Sequence, residues 1–140
     1  MILKTYARLW TDDLSTTLPL LERLTGTRPD LHFAFDEIEL AAIGDFLVIA
    51  GPAEERARYA HATATVIVSD LDQVRAALDE AGAEITAEEA TSATGRFLYA
   101  RHRGGVEAEF VEWKPEVRRQ VLGAQVSAGS FGEECSVGGS

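Results

Sequence analysis

The sequence predicts an α+β domain assembled from two βαβββ modules. Each half of the chain opens with a β-prone run, passes through an aspartate into an amphipathic helical segment, and continues into three further β-prone runs. The halves align when Asp13 is set on Asp70, so that "TDDL" (11–14) falls on "VSDL" (68–71) and Leu21 on Leu78. Repetition of one supersecondary unit is an architectural signal in its own right. Within each half the apolar spacing changes from two residues to the helical spacing and back, as strands and helices require.

Module 1 covers about residues 2–51. Leu3 to Trp10 alternates as a strand, and Asp12 or Asp13 supplies a cap for the helix that follows. Leu14, Leu18, Leu21 and Leu24 form its apolar stripe and Gly26 closes it. Pro19 removes one backbone hydrogen bond inside this segment, so the helix either begins near Leu18 or kinks there. "LHFAF", "IELAAIG" and "DFLVIAG" are the next three strands, separated by "DE" and "GD" turns. Residues 52–61, which open with Pro52, read as a linker. Module 2 covers about residues 62–113. Thr63 to Val68 is a strand, and Asp70 with Gln73 forms a capping-box-like pair. Leu71, Val74, Leu78 and Ala81 make the helical stripe, Gly82 ends it, and "AEITAEEA", "GRFLYARHR" and "VEAEFVEW" complete the module. A short C-terminal helix is expected over 114–125, and a flexible Gly/Ser-rich tail over 126–140.

Composition narrows the class of function. Thirteen basic residues against 23 acidic ones give a net charge of −10, which disfavours nucleic-acid and anionic-membrane partners. The single cysteine, Cys135, excludes an internal disulfide and a cysteine-rich zinc site. No apolar run approaches a membrane span, and the N-terminus does not read as a signal peptide, so a cytoplasmic location is expected.

The first strand poses the functional question. Alternate side chains share a face, so Tyr6, Arg8 and Trp10 look one way and Thr5, Ala7 and Leu9 the other. A row of two aromatics and a cation is unusual for plain core and costly to expose. It suits the wall of a cavity.

The strand–"TDDL"–helix and strand–"VSDL"–helix units, with "FLYARHRGGVEAEFVEW" at the end of the second, resemble the vicinal oxygen chelate superfamily. That superfamily includes glyoxalases, extradiol dioxygenases, fosfomycin-resistance enzymes and bleomycin-binding proteins. The resemblance spans about residues 2–113 and implies a cup-shaped, curved mixed sheet with helices outside. In character it points most to the antibiotic-binding resistance proteins. Metal-using members place a His, Glu or Gln seven residues before the "DL" aspartate, which here gives Tyr6 and Thr63. The carboxylate of the last strand is present as Glu109, whereas Val48 or Ile49 stands at the counterpart in module 1. One donor of four is too few for a divalent metal, so the resemblance implies neither a metal nor another cofactor here. A displaced pair of His61 and Glu109 is the alternative donor set.

By the same resemblance and strand parity, the lining of the cup comprises Tyr6, Arg8, Trp10, Val48, Thr63, Thr65, Phe97, Tyr99, Arg101, Glu109 and Trp113. Glu107, Ile67 and Val111 share that parity. Ala64, Val66, Val68, Leu98, Ala100, Ala108 and Phe110 fall on the opposite, helix-covered face. The expected function is metal-independent sequestration of an aromatic or polycyclic small molecule, such as an antibiotic, with no catalytic residue. Its alternatives are a metal-free isomerase, cyclase or lyase using Glu109 with Tyr6 or Tyr99, and a metal-dependent lyase or dioxygenase. A third reading is that the aromatics fill the cup and Arg8 pairs with Glu109. A homodimer is implied by the superfamily, with the modules paired within one chain or between two.

Overall fold

The structure is a computed structural model that describes residues 1–105 and 107–123. The expected tail 126–140, with Cys135, lies outside the described residues, as do the last two positions of the expected C-terminal helix.

Both modules are present. β1 (Ile2–Thr11), α1 (Leu14–Thr25), β2 (Leu31–Phe35), β3 (Ile38–Ile43) and β4 (Phe46–Ala50) form the first. The stretch read as a linker contains a short helix, α2 (Ala53–Ala57), braced by Arg56. The Arg56 guanidinium donates to the Gly51 carbonyl at 2.9 Å and to Asp12 at 2.7 Å. β5 (Ala64–Val68), α3 (Leu71–Glu80), β6 (Glu84–Thr91), β7 (Gly95–Arg101) and β8 (Glu107–Trp113) form the second module. After β8 comes α4 (Pro115–Arg118), which passes into a π-helical turn at Arg119–Gly123.

The eight strands make one curled mixed sheet in the order β2-β3-β4-β1-β5-β8-β7-β6. Each module closes on itself through a parallel pair, β1 with β4 and β5 with β8. The modules join through antiparallel β1 and β5 at the centre.

Local chemistry explains the helix ends. Asp13, not Asp12, caps α1, accepting from the Ser15 N–H at 2.9 Å, and Asp70 caps α3 by accepting from Asp72 and Gln73. The N–H groups at a helix start lack intrahelical partners, and a carboxylate satisfies them. α1 starts at Leu14 and runs unbroken through Pro19, giving up the one hydrogen bond that proline cannot make. Its stripe is Leu14, Leu18 and Leu21. Leu24 is 70% exposed, because ten residues at about 100° each carry it well off the line of Leu14.

Three apolar clusters follow from this layout. One lies between α1 and the outer face of module 1, around Leu14, Leu21, Ala41, Ile43 and Val48. A second lies under α3, around Val66, Val68, Leu71, Leu98 and Ala100, with Ala108 and Phe110 at its edge. The third fills the concave side and draws on both modules: Tyr6, Leu40, Leu47, Ile67, Val111 and Trp113, with Val117 and Val121 of the C-terminal segment packed against it. Among the described residues no helix is long and apolar enough to cross a membrane.

Candidate functional site

The concave side is organised by strand register. Tyr6 of β1 lies opposite Thr65 of β5, Thr65 opposite Glu109 of β8, and Glu109 opposite Tyr99 of β7. Partners across a sheet share a face, so these four side chains form one polar rung on the inner wall. The rung above is apolar: Ile67, Val111 and Phe97. On the module 1 side, Leu31, Ala42 and Leu47 continue the row of Arg8.

These rungs line a cavity with about 60 Å³ open to the centres of water molecules. At about 30 Å³ per water, its share of the liquid, that is room for about two waters, well short of the about 150 Å³ of a cavity that takes benzene. Phe33, Phe35 and Tyr59 complete its wall on one side, Ser92, Thr94 and Trp113 on the other. Across its mouth Phe35 meets Phe97 edge-on at 5.6 Å and Tyr59 at 6.3 Å, so rings from both modules close the cup.

Arg8 is fully engaged at its tips. One terminal nitrogen donates to the carbonyls of Tyr59 (3.1 Å) and Ala62 (3.3 Å), the other to the Tyr99 hydroxyl (2.7 Å) and Glu109 Oε1 (3.4 Å). The Trp10 and Tyr99 rings lie 5.5 and 5.4 Å from the guanidinium carbon, placing aromatic faces on the cation. Glu109 Oε1 also accepts from the Thr65 hydroxyl at 2.8 Å. Burial pushes the Glu109 carboxyl above the usual range, and the Arg8 charge and Thr65 hydrogen bond only partly offset it. Burial likewise holds the Tyr6 and Tyr99 phenols well above their usual value, reinforced by the Asp30 charge at Tyr6 and the Glu109 charge at Tyr99. The Tyr6 hydroxyl and Arg8 Nε are buried without a hydrogen-bond partner among the described residues.

Of the side chains expected in the cup, Tyr6, Arg8, Thr65, Phe97, Tyr99, Glu109 and Trp113 line this cavity. Four do not. Val48 lies on the opposite face, fully buried under α1: β4 pairs with β1 so that Leu47 opposes Arg8 and Val48 opposes Leu9, and parity puts Leu47 inside. Thr63 is exposed ahead of β5 and offers only its carbonyl, to the Arg8 N–H at 3.1 Å. Trp10 is half-buried on the far side of Arg8, outside the cavity lining. Arg101 stands exposed at the end of β7, paired with Glu84 at 2.9 Å and Glu107 at 3.6 Å.

The apolar wall from β2 and β3 and Tyr59 of the inter-module connector were not anticipated. The alternation in "LHFAF" carried a signal for β2, since Leu31, Phe33 and Phe35 share one face. Tyr59 follows no strand or helix period.

Donors for a metal do not converge here. Among the described residues, Glu109 is the only His, Cys, Asp or Glu lining the cavity, and there is no group of three that would bind an ion. His61 does not reach Glu109; it meets the buried Glu107 at 3.0 Å, while Glu107 also accepts from Thr86 at 2.7 Å. His32 pairs with Glu39 at the surface and His102 is exposed. The residues present do not fit the superfamily's metal.

Backbone geometry fixes the end of the cavity. Gly95 lies opposite Trp113 in the β7–β8 register. A Cβ on Gly95 would come within 2.1 Å of the Glu112 carbonyl oxygen and 3.0 Å of Trp113 Cα, so only glycine lets β8 lie this close.

The chain is similar to a structure of an uncharacterized protein from Methanosarcina mazei, at 33% identity and a TM-score of 0.75, over 81% of this chain and 94% of that one. Its fold is shared with methylmalonyl-CoA epimerase from Mycobacterium tuberculosis, at 19% identity and a TM-score of 0.67 over 80% and 88% of the two chains. It is shared too with a variant of the Streptomyces coelicolor epimerase in complex with 2-nitronate-propionyl-CoA, at 13% identity and a TM-score of 0.64 over 82% and 97%. Neither a protein-family profile nor a curated protein sequence matches. Fold and topology are those of the vicinal oxygen chelate fold, as in the epimerase structures. At 33% identity over most of both chains, the chain belongs to the family of the Methanosarcina mazei protein.

Proposed function

We propose that this chain is a binding protein that holds a small aromatic molecule in its cup without a metal. The observation that carries this reading is the cavity itself: rings from both modules around a polar rung, in a space so narrow that even one ring enters only as the rings at its mouth part. Well-placed aromatic pairs contribute about 0.5–1.5 kcal/mol each beyond area burial. A mostly apolar pocket with few convergent polar groups is what a small-molecule site requires. The size narrows the expected ligand. A fused polycycle enters only if the Phe35–Phe97 contact opens, so a compact single-ring antibiotic or metabolite suits the cup better. Sequestering such an antibiotic would protect the cell that makes the protein. An acyl-CoA, named with the epimerase structures, suits it poorly, because it is far larger and anionic.

Titration with single-ring and polycyclic aromatics, read by tryptophan fluorescence, tests the proposal. Saturable quenching that persists with chelator, survives Trp10→Phe and is lost in Trp113→Phe is the expected result, with the ligand recovered unchanged. Light scattering tests the homodimer that we include in this reading, as a mass twice that of the chain.

The raised pKa of Glu109 and the free Tyr6 hydroxyl favour one second reading, a metal-free acid–base enzyme. Recovery of an altered ligand, with turnover abolished and affinity kept in Glu109→Gln, would replace sequestration by catalysis.

A further inference from the structure

We infer that the C-terminal segment, Pro115–Gly123, is a displaceable end wall of the cup, and that a ring finds its room by pushing this wall back. The inference rests on the proposed aromatic site and adds how that site gains its volume.

The walls of the cup differ in what holds them. Tyr6, Thr65, Glu109 and Tyr99 stand on strands that are paired on both sides through backbone ladders. The module 1 wall stands on the ladders of β2, β3 and β4. At the connector end, Arg8 makes four hydrogen bonds. The end at Trp113 is held differently. Val117 and Val121 join the apolar cluster of Trp113 from outside the sheet. Among the described residues, one side-chain hydrogen bond ties their segment across to the sheet: Gln120 Nε2 donates to the Asp30 carbonyl, just ahead of β2, at 2.8 Å. Four residues of α-helix passing into a π-helical turn have little stability of their own. Elements held by few hydrogen bonds open locally, well below the cost of global unfolding.

Space lies behind this wall. The inner cavity, at about 60 Å³, falls short of a ring. A cleft of about 650 Å³ runs between the segment and the strand ends, bounded by Leu3, Val68, Arg118 and Leu122. Ile67 and Trp113 line both spaces and so stand between them. Ile67 sits on a central strand, whereas Trp113 is the last residue of β8 and packs in one cluster with Val117 and Val121. As those valines withdraw, the Trp113 ring follows and the cup opens into the cleft. The Methanosarcina mazei protein is matched over nearly its whole length by about four-fifths of this chain. The two modules alone fill that share, as expected if the segment after β8 is an addition to a shared frame.

Amide hydrogen exchange and calorimetry on the full chain, with benzene as the probe, test the inference. A ligand ordinarily slows exchange around its site. Saturating benzene should instead speed exchange of the 116–123 amides, because the bound chain has that segment displaced, while amides of β1 and β5 exchange no faster. Gln120→Ala removes the tie at an exposed position and leaves the core intact. It should speed exchange of the same amides about fivefold without ligand. Benzene affinity should rise by the same factor, since a ligand that binds only the open state gains what the opening equilibrium gains. Bound benzene with exchange at 116–123 unchanged or slowed would overturn the displaceable wall and leave the aromatic site standing. Faster exchange in Gln120→Ala with no gain in affinity would do the same. Failure of benzene to bind either chain would overturn the aromatic site, and this inference with it.

Discussion

At the scale of single residues, Arg8 changes meaning between sequence and structure. Its inward direction is legible from the alternation of Tyr6, Arg8 and Trp10. Its role is not, because two of its partners are the backbone carbonyls of Tyr59 and Ala62, more than fifty positions away and invisible to any local pattern. Arg8 is a strut that ties β1 to the inter-module connector, to β7 and to β8. Removing one member of a buried ion pair costs about 3–5 kcal/mol, so Arg8→Ala should lower unfolding free energy by about that much. Arg101→Ala, at an exposed pair, should change it by less than about 1 kcal/mol; paired denaturant titrations check both. Glu109 gives a prediction with a sign. Its pKa in the folded chain lies above the ordinary 4.5, so between those values the native state binds the extra proton. Stability therefore falls as pH rises through that window and stays reduced above it. Glu109→Gln should abolish this pH-dependent loss, so that its stability relative to the parent rises as pH is raised from about 4.5, whatever its offset from losing the Arg8 pair, measured by thermal melts across pH.

At the scale of elements, strand existence was legible and strand facing was legible only where alternation was strong. β7 and β8 alternate sharply, and Phe97, Tyr99 and Glu109 lie inside while Leu98 and Phe110 lie under α3. β4 is apolar on both faces, "FLVIA", so its own sequence holds no parity; the parallel register with β1 decides that Leu47 enters and Val48 does not. Gly95 is the element-scale test of the site. Gly95→Ala should destabilise at the upper end of about 1–3 kcal/mol, because backbone rather than a flexible side chain blocks the added carbon. It should also shift Trp113, visible as a changed tryptophan emission maximum in the folded variant.

At the scale of the whole molecule, the repeat is symmetric in path and asymmetric in chemistry. Asp13 and Asp70 start equivalent helices, and the parallel pairs β1–β4 and β5–β8 are equivalent in topology. Offset by the same spacing, Arg8 matches Thr65, and their register partners are Leu47 and Glu109. Where module 2 offers a carboxylate, module 1 offers a leucine, and the rest of its inner face is apolar. The fold was readable because it lies in the order of elements. The size of the cup was not, since it depends on rings that meet only after the sheet curls. Phe35 and Phe97, one from each module, set that opening. Phe35→Ala should admit two-ring ligands excluded by the parent and raise the association rate, measured by stopped-flow fluorescence.

The strand order also bears on how the protein is made. Of the eight strands β1 is the first to leave the ribosome, yet it ends between β4 and β5, both synthesised after it. Its Tyr6, Arg8 and Trp10 row must wait while more than fifty further residues are added before the Thr65 and Ala62 partners exist. Pairing across such sequence distances forms slowly. The cup is therefore absent from the nascent chain until its second half has been translated, and the most interaction-prone face of β1 is the one left longest without cover.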